Sequence, residues 1–144
     1  MDLLPNYPVV EDYYRMTAEW TVVLPSKFNR RTEDGDLVLW HPGFTAWIAV
    51  WGNDKNRTAQ ERLALVKKEQ SPLAFDAKAR QHGATLYYTY RLDEDAKDKR
   101  APALYCYALS AASQVEMAVY FDTESEASAA ESLCLSLRYE PQKP

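Results

Sequence analysis

The stretch LVLWHPGFTAWIAVWGND, Leu37 to Asp54, constrains the fold of this chain more than any other. Two apolar runs flank a Pro42-Gly43 dipeptide. Proline presets φ and glycine accepts the positive φ that follows, so the pair reads as a tight turn. Leu37 to Trp40 and Thr45 to Trp51 are apolar on both faces, the pattern of central strands covered from both sides. Three of the four tryptophans, Trp40, Trp47 and Trp51, lie here, and their simplest placement is the core.

The rest of the chain reads around this hairpin. The first 17 residues, with two prolines and three tyrosines, have no clear period and read as an arm. Residues 18 to 24 alternate as a strand that Pro25 ends, and the polar run Asn29 to Asp36 closes on the turn signal Asp34-Gly35-Asp36. Thr58 and Glu61 have capping-box spacing, in which each side chain satisfies an orphan backbone donor. They open a helix over residues 59 to 69 that Ser71-Pro72 stops. Strands follow at 75 to 80 (half-buried), 85 to 92, 103 to 109 and 114 to 121, with turns at His82-Gly83 and Ser110 to Ser113. A second capping box, Thr123 to Glu126, starts a helix over 124 to 137 with the stripe Ala127, Ala130, Cys134, Leu137, and residues 139 to 144 form a loose tail. The expected fold class is α+β: a mostly antiparallel sheet of about six or seven strands with two helices packed on it. The domain runs from 18 to 138, with one helix on each face or the arm covering one of them.

Composition narrows the function classes. At 144 residues, 47% apolar and 26% charged, this is one globular domain. A net charge of -4 with scattered basic residues argues against a nucleic-acid partner. No run reaches membrane-spanning length, so no membrane association is expected. The start lacks a basic and an apolar segment of a secretory signal, and Met1 argues against a removed leader; a cytoplasmic protein is expected. Cys106 and Cys134 fall in apolar patterns and read as buried, reduced thiols.

The layout resembles the PsbP-like fold shared with the Ran-binding Mog proteins. The matching elements are an early strand closing on Leu24 and Pro25 before Phe28, the apolar strand pair at 37 to 51, the capped first helix, a meander, and a last helix ending Ser136-Leu137-Arg138. The resemblance spans most of residues 18 to 138 and implies a binding scaffold. Members of the fold bind a small GTPase, assist photosystem assembly, or act as bacterial chaperones for type VI secretion effectors. A small acidic protein of this shape also looks like an immunity protein for an interbacterial toxin. No family active site transfers onto these residues.

The candidate chemistry points the same way. His41 and His82 sit in turns without metal-ligand spacing, so no zinc or other metal site is expected. Cys106, mid-strand between Tyr105 and Tyr107, reads as buried rather than nucleophilic. The acidic clusters Glu33, Asp34, Asp36 and Asp93, Glu94, Asp95 lack calcium-loop spacing, and the few glycines make no phosphate cradle. No catalytic residue and no cofactor are expected. Tyr87 shares its expected face with Thr85, Thr89 and Arg91, a polar face that reads as wet. With the acidic loop Asp93, Glu94 and Asp95 as a charged rim, Tyr87 is the candidate interface anchor; an ordinary cross-strand aromatic pair is the commoner alternative. Asn53 and Asp54 form a second candidate contact. The expectation is a non-enzymatic protein-binding module, first of all an immunity protein that neutralises a bacterial toxin by direct binding. The alternatives are a secretion-effector chaperone, or a small-ligand-binding protein or enzyme with a pocket between sheet and helix.

Overall fold

Turn chemistry sets the sheet order in the computed structural model, which describes residues 2–94 and 99–143. β1 (Val9–Arg15) pairs with the long β2 (Trp20–Glu33), which turns at Asp34 and Gly35 into β3 (Asp36–His41). Both turn residues have positive φ, 50° and 88°, matching the twist of a two-residue hairpin. Pro42 and Gly43 close the next hairpin into β4 (Phe44–Gly52), with Gly43 at φ 79°. The Thr58 hydroxyl accepts from the Glu61 backbone N–H and the Glu61 carboxylate accepts from the Thr58 N–H, opening α1 (Ala59–Glu69) with a complete capping box. The chain continues through β5 (Phe75–His82), β6 (Thr85–Leu92), β7 (Ala103–Leu109) and β8 (Ser113–Phe121), then α2 (Ala127–Leu135) and the short β9 (Arg138–Tyr139).

Among the described residues the sheet has nine strands, all antiparallel, in the order β1-β2-β3-β4-β8-β7-β6-β5, with β9 beside β2. Side chains alternate between two faces along each strand, and the helices take opposite faces. α2 lays Ala130, Leu133 and Cys134 on Val22, Leu104, Cys106 and Met117 to make the main core, which also holds Trp20 and Phe28. α1 lays Leu63 on Leu86, Tyr88 and Leu109 on the other side. The α+β class is as the sequence implied; the strand count is larger.

The extra strands come from the two ends. The first 17 residues contribute β1, an edge strand, rather than a free arm. Pro25 does not end its strand. β2 carries two more residues than β1 between the pairs Val10–Phe28 and Asp12–Leu24, and a proline costs no ladder hydrogen bond in such a bulge. The final helix is shorter than expected: a 3-10 turn at Glu124–Glu126 precedes α2, and the Thr123 hydroxyl bonds the Glu126 carboxylate instead of capping a backbone N–H. The tail is not loose through residue 142. Arg138 and Tyr139 pair with Thr21 and Trp20, and the Glu140 and Gln142 N–H groups donate to Glu19 and Ala18 carbonyls at 2.7 and 2.8 Å. β5, expected half-buried, is an exposed edge strand. Register shifts interrupt the pairing of both edge strands, and Asp12 and Asp76 each sit at φ 54°. Irregularity of this kind blunts an edge against pairing with another strand.

Candidate functional site

α1 covers only the β6–β7 part of its face. Over β8, β4 and the Asp36 end of β3 that face carries no covering helix or strand among the described residues, while Tyr7 packs on Trp40 at 4.9 Å and Val38 is fully buried; its aromatic side chains there are Trp40, Trp47, Trp51 and Tyr120. Strand pairing sets them in rows. Tyr90, Tyr105, Ala118, Trp47 and Val38 follow one another across β6, β7, β8, β4 and β3, and Tyr107, Glu116 and Ala49 form the neighbouring row. Tyr90 and Tyr105 stack at 5.1 Å between centroids, and the Tyr105 and Tyr120 hydroxyls lie 3.3 Å apart. The Arg31 guanidinium sits over Trp40 at 4.6 Å and over Trp47 at 5.5 Å. Trp51, two periods beyond Trp47 along β4, is 56% exposed.

A depression of about 180 Å³ sits in the middle of this face. Its floor is low because β4 and β8 carry only Ala49 and Ala118 there. Trp47, Tyr105 and Tyr107 wall it, and Asp36 and Glu116 supply its charge. Among the described residues neither carboxylate has an ion-pair partner. Burial pushes the Glu116 carboxyl above its usual range, and the charges of Glu69 and Asp36 push the same way against hydrogen bonding to Trp51 and Gln114. Burial also raises the Tyr107 phenol, and pushes Tyr120 up to about 12 with help from Glu94, so these hydroxyls stay protonated at neutral pH.

A second depression, about 360 Å³, adjoins the first between Trp51, the β4–α1 loop and α1. Asn53 builds its wall: its side chain donates to the Arg57 and Ala111 carbonyls at 2.8 and 2.9 Å and accepts from the Arg57 N–H at 3.0 Å. Arg62 is buried beneath it. Its guanidinium donates to the Ser110 and Ser113 carbonyls, which ties α1 to the β7–β8 turn, and burial lowers its pKa.

The residues singled out in the sequence land unevenly. Tyr87 is not on a wet face. It is 2% exposed beneath α2, its hydroxyl donates to the Leu137 carbonyl, and Arg138 Nη1 donates to that hydroxyl at 2.9 Å. The polar neighbours that suggested water are buried with it: Thr85, Thr89 and Arg91, the last held by a two-point ion pair to Glu124 at 2.7 and 2.9 Å. Asn53 and Asp54 lie beside Trp51 at one end of the open face. Asp93 and Glu94 are exposed beyond β6, beside Tyr120 at the other end, and Asp95 lies outside the described residues. Trp40, Trp47 and Trp51 are not core; the fully buried tryptophan is Trp20, whose indole N–H donates to the Ser113 hydroxyl at 2.7 Å. His41 stacks between Phe28 and Phe44, and His82 is exposed at the end of β5. Both cysteines are fully buried, with Cys134 3.7 Å from the Met117 sulfur.

Glu116, Tyr105, Tyr107 and Asp36 were not picked out by sequence reasoning. Each strand showed its alternation, but only the pairing of β4 with β8, joining residues some seventy apart, brings Trp47 and Trp51 beside Glu116. No helix among the described residues is long and apolar enough to cross a membrane. Comparison of the chain with protein-family models and with curated proteins returns no match.

Proposed function

We propose that this chain is a non-enzymatic, cytoplasmic protein-binding module that holds its partner on the open aromatic face of β3, β4 and β8. One observation carries the reading: an exposed Trp51 and a half-buried Trp47 stand beside a half-buried carboxylate, Glu116, that has no ion-pair partner among the described residues. Monomeric proteins seldom leave such a patch without a partner, and tryptophan and tyrosine dominate binding hot spots. The irregular edges at Asp12 and Asp76 argue against strand addition as the binding mode. The resemblance to the PsbP-like fold suggests the kind of partner. The first reading is a bacterial toxin neutralised by direct contact, which makes the chain an immunity protein; the alternative is a type VI effector held for export. The test is capture from native lysate with the tagged chain and with Trp51→Ala. A stoichiometric protein lost from the Trp51→Ala capture is expected, and its activity with and without the chain separates inhibition from chaperoning. Equal capture by both would remove this face from the reading.

A second reading has one observation in its favour. A groove of about 620 Å³ lies between α2 and β5–β6, where Ser128, Ser132, Thr89, Lys78 and Arg138 offer polar groups to a small ligand. Ligand-bound calorimetry of protein purified from its native cell tests it: a melting temperature that drops after denaturation and refolding would reveal a lost ligand.

A further inference from the structure

We propose that the depression over Ala49 and Ala118 takes an arginine side chain presented by a basic segment of the protein partner. The inference rests on the binding-face reading above and specifies what that face recognises. Three independent features of the depression agree. Its shape is a shallow cup with a floor of two alanines, deep enough for one flat group and too small for a helix. Its walls are Trp47, Tyr105 and Tyr107, side chains whose rings can attract a cation electrostatically or stack with a planar one. Its charge is negative: Glu116 faces Ala49 from β8, Asp36 begins β3 on the opposite side, and among the described residues no lysine or arginine lines the cup.

Charge complementarity selects the occupant. Two carboxylates flanking aromatic walls disfavour an acidic or a purely apolar group, because either leaves half-buried carboxylates without a countercharge. An ammonium and a guanidinium both neutralise the site, but the planar fork of arginine can stack on a ring and reach carboxylates on two sides at once. The same face already holds one such contact within the chain: Arg31 lies over Trp40 and Trp47 while pairing with Glu33 at 3.3 Å. The partner's arginine would repeat that geometry one row along.

The probe is a blocked Gly-Arg-Gly tripeptide titrated into the isotope-labelled chain, read on the tryptophan indole N–H resonances, with the citrulline tripeptide as the neutral isostere. The expected result is a saturable shift of the Trp47 and Trp51 signals with arginine, and binding at least about tenfold weaker with citrulline. Glu116→Gln and Asp36→Asn should each weaken the arginine peptide by about threefold or more while the remaining spectrum is unchanged. Equal response to arginine and citrulline overturns the proposal, as does the absence of any saturable indole shift up to about 50 mM peptide. The citrulline comparison uses the unaltered chain, so misfolding of a variant does not blur it. Failure here with a partner capture that still depends on Trp51 leaves the binding face standing and removes only the arginine; capture indifferent to Trp51→Ala removes the face itself.

Discussion

Replacing Tyr87 separates a core residue from an interface residue. Its ring is buried under the C-terminal end of α2, and its hydroxyl joins the Leu137 carbonyl to Arg138. Tyr87→Phe keeps the ring and deletes the hydroxyl. The Leu137 carbonyl still accepts from Arg138 at 2.9 Å, so no acceptor is orphaned. The loss is two hydrogen bonds, one to the Leu137 carbonyl and one from Arg138, but Arg138 keeps the Leu135 and Leu137 carbonyls, so the net cost is about 1–1.5 kcal/mol. Tyr87→Ala also empties the ring's volume in a packed core, at about 3–5 kcal/mol. For a domain of this length one kcal/mol moves the melting temperature by about 3 °C, so the two variants should melt about 3–5 and 10–15 °C below the parent. Calorimetry with parallel urea titration reads this; the urea midpoint should fall with an unchanged m-value. Partner capture by Tyr87→Phe should equal that of the parent. A Tyr87→Ala variant that melts within about 2 °C of the parent and instead loses its partner would refute the placement of Tyr87 in the core.

Other consequences are smaller or are read by different means. Thr58→Ala removes the hydroxyl that accepts from the Glu61 N–H, leaves the Glu61 carboxylate on the residue-58 N–H, and should cost about 1 kcal/mol, a fall of about 3 °C in melting temperature. Arg91 holds the Glu124 carboxyl below the usual range, so this pair contributes stability above the unfolded pKa of about 4.3 and loses it as pH falls through the lower folded value. Glu124→Gln should therefore lower the melting temperature at pH 7 and have no effect near pH 2, as melts across that range would show. Glu116 has the opposite sign. Its raised folded pKa means that stability is lost as pH climbs from about 4.3 through that value, so Glu116→Gln should stabilise the chain at pH 7 and do nothing below pH 4. Burial pushes the Cys134 thiol well up, and both thiols should resist iodoacetamide in the native chain and react fully in denaturant, as mass spectrometry would show.

Local chemistry was legible where it is decided locally. Thr58 and Glu61, Asp34 and Gly35, and Pro42 and Gly43 marked real boundaries, because caps and turns depend on neighbours a few residues apart. The Ser136 hydroxyl just past α2 makes a contact that no local pattern shows: it accepts from the Val23 N–H at 2.9 Å, in a part of β2 that neither β3 nor β9 pairs. What failed was the assignment of faces. Alternation along β6 sorts Tyr87 from Tyr88 correctly, but says nothing about which side α2 covers. A polar composition, Thr85, Thr89 and Arg91, looked wet, whereas Glu124 supplies Arg91 with its partner from beyond β8 and lets the whole set be buried. The tryptophans erred in the other direction. Trp47 and Trp51 read as core because β4 is central in the sheet, which it is; centrality within the sheet does not imply cover on both faces, and α1 stops at β7. The edge strand β1 escaped notice because its Val9–Arg15 sequence has little alternation to show, being stabilised by pairing with β2 more than by burial.

The claim that the face of β3, β4 and β8 is where this chain meets its partner is tested most directly by hydroxyl-radical footprinting of the chain alone and in complex. Oxidation is read on side chains, and Trp51, 56% exposed, reports from the claimed face while Tyr13, 58% exposed on the edge strand β1 three strands away, serves as the control. The account predicts that the complex protects Trp47, Trp51 and Tyr107 and leaves Tyr13 and Phe75 as reactive as before. Unchanged oxidation of Trp51, with protection appearing instead at the β1 or β5 edge or along α2, would contradict it.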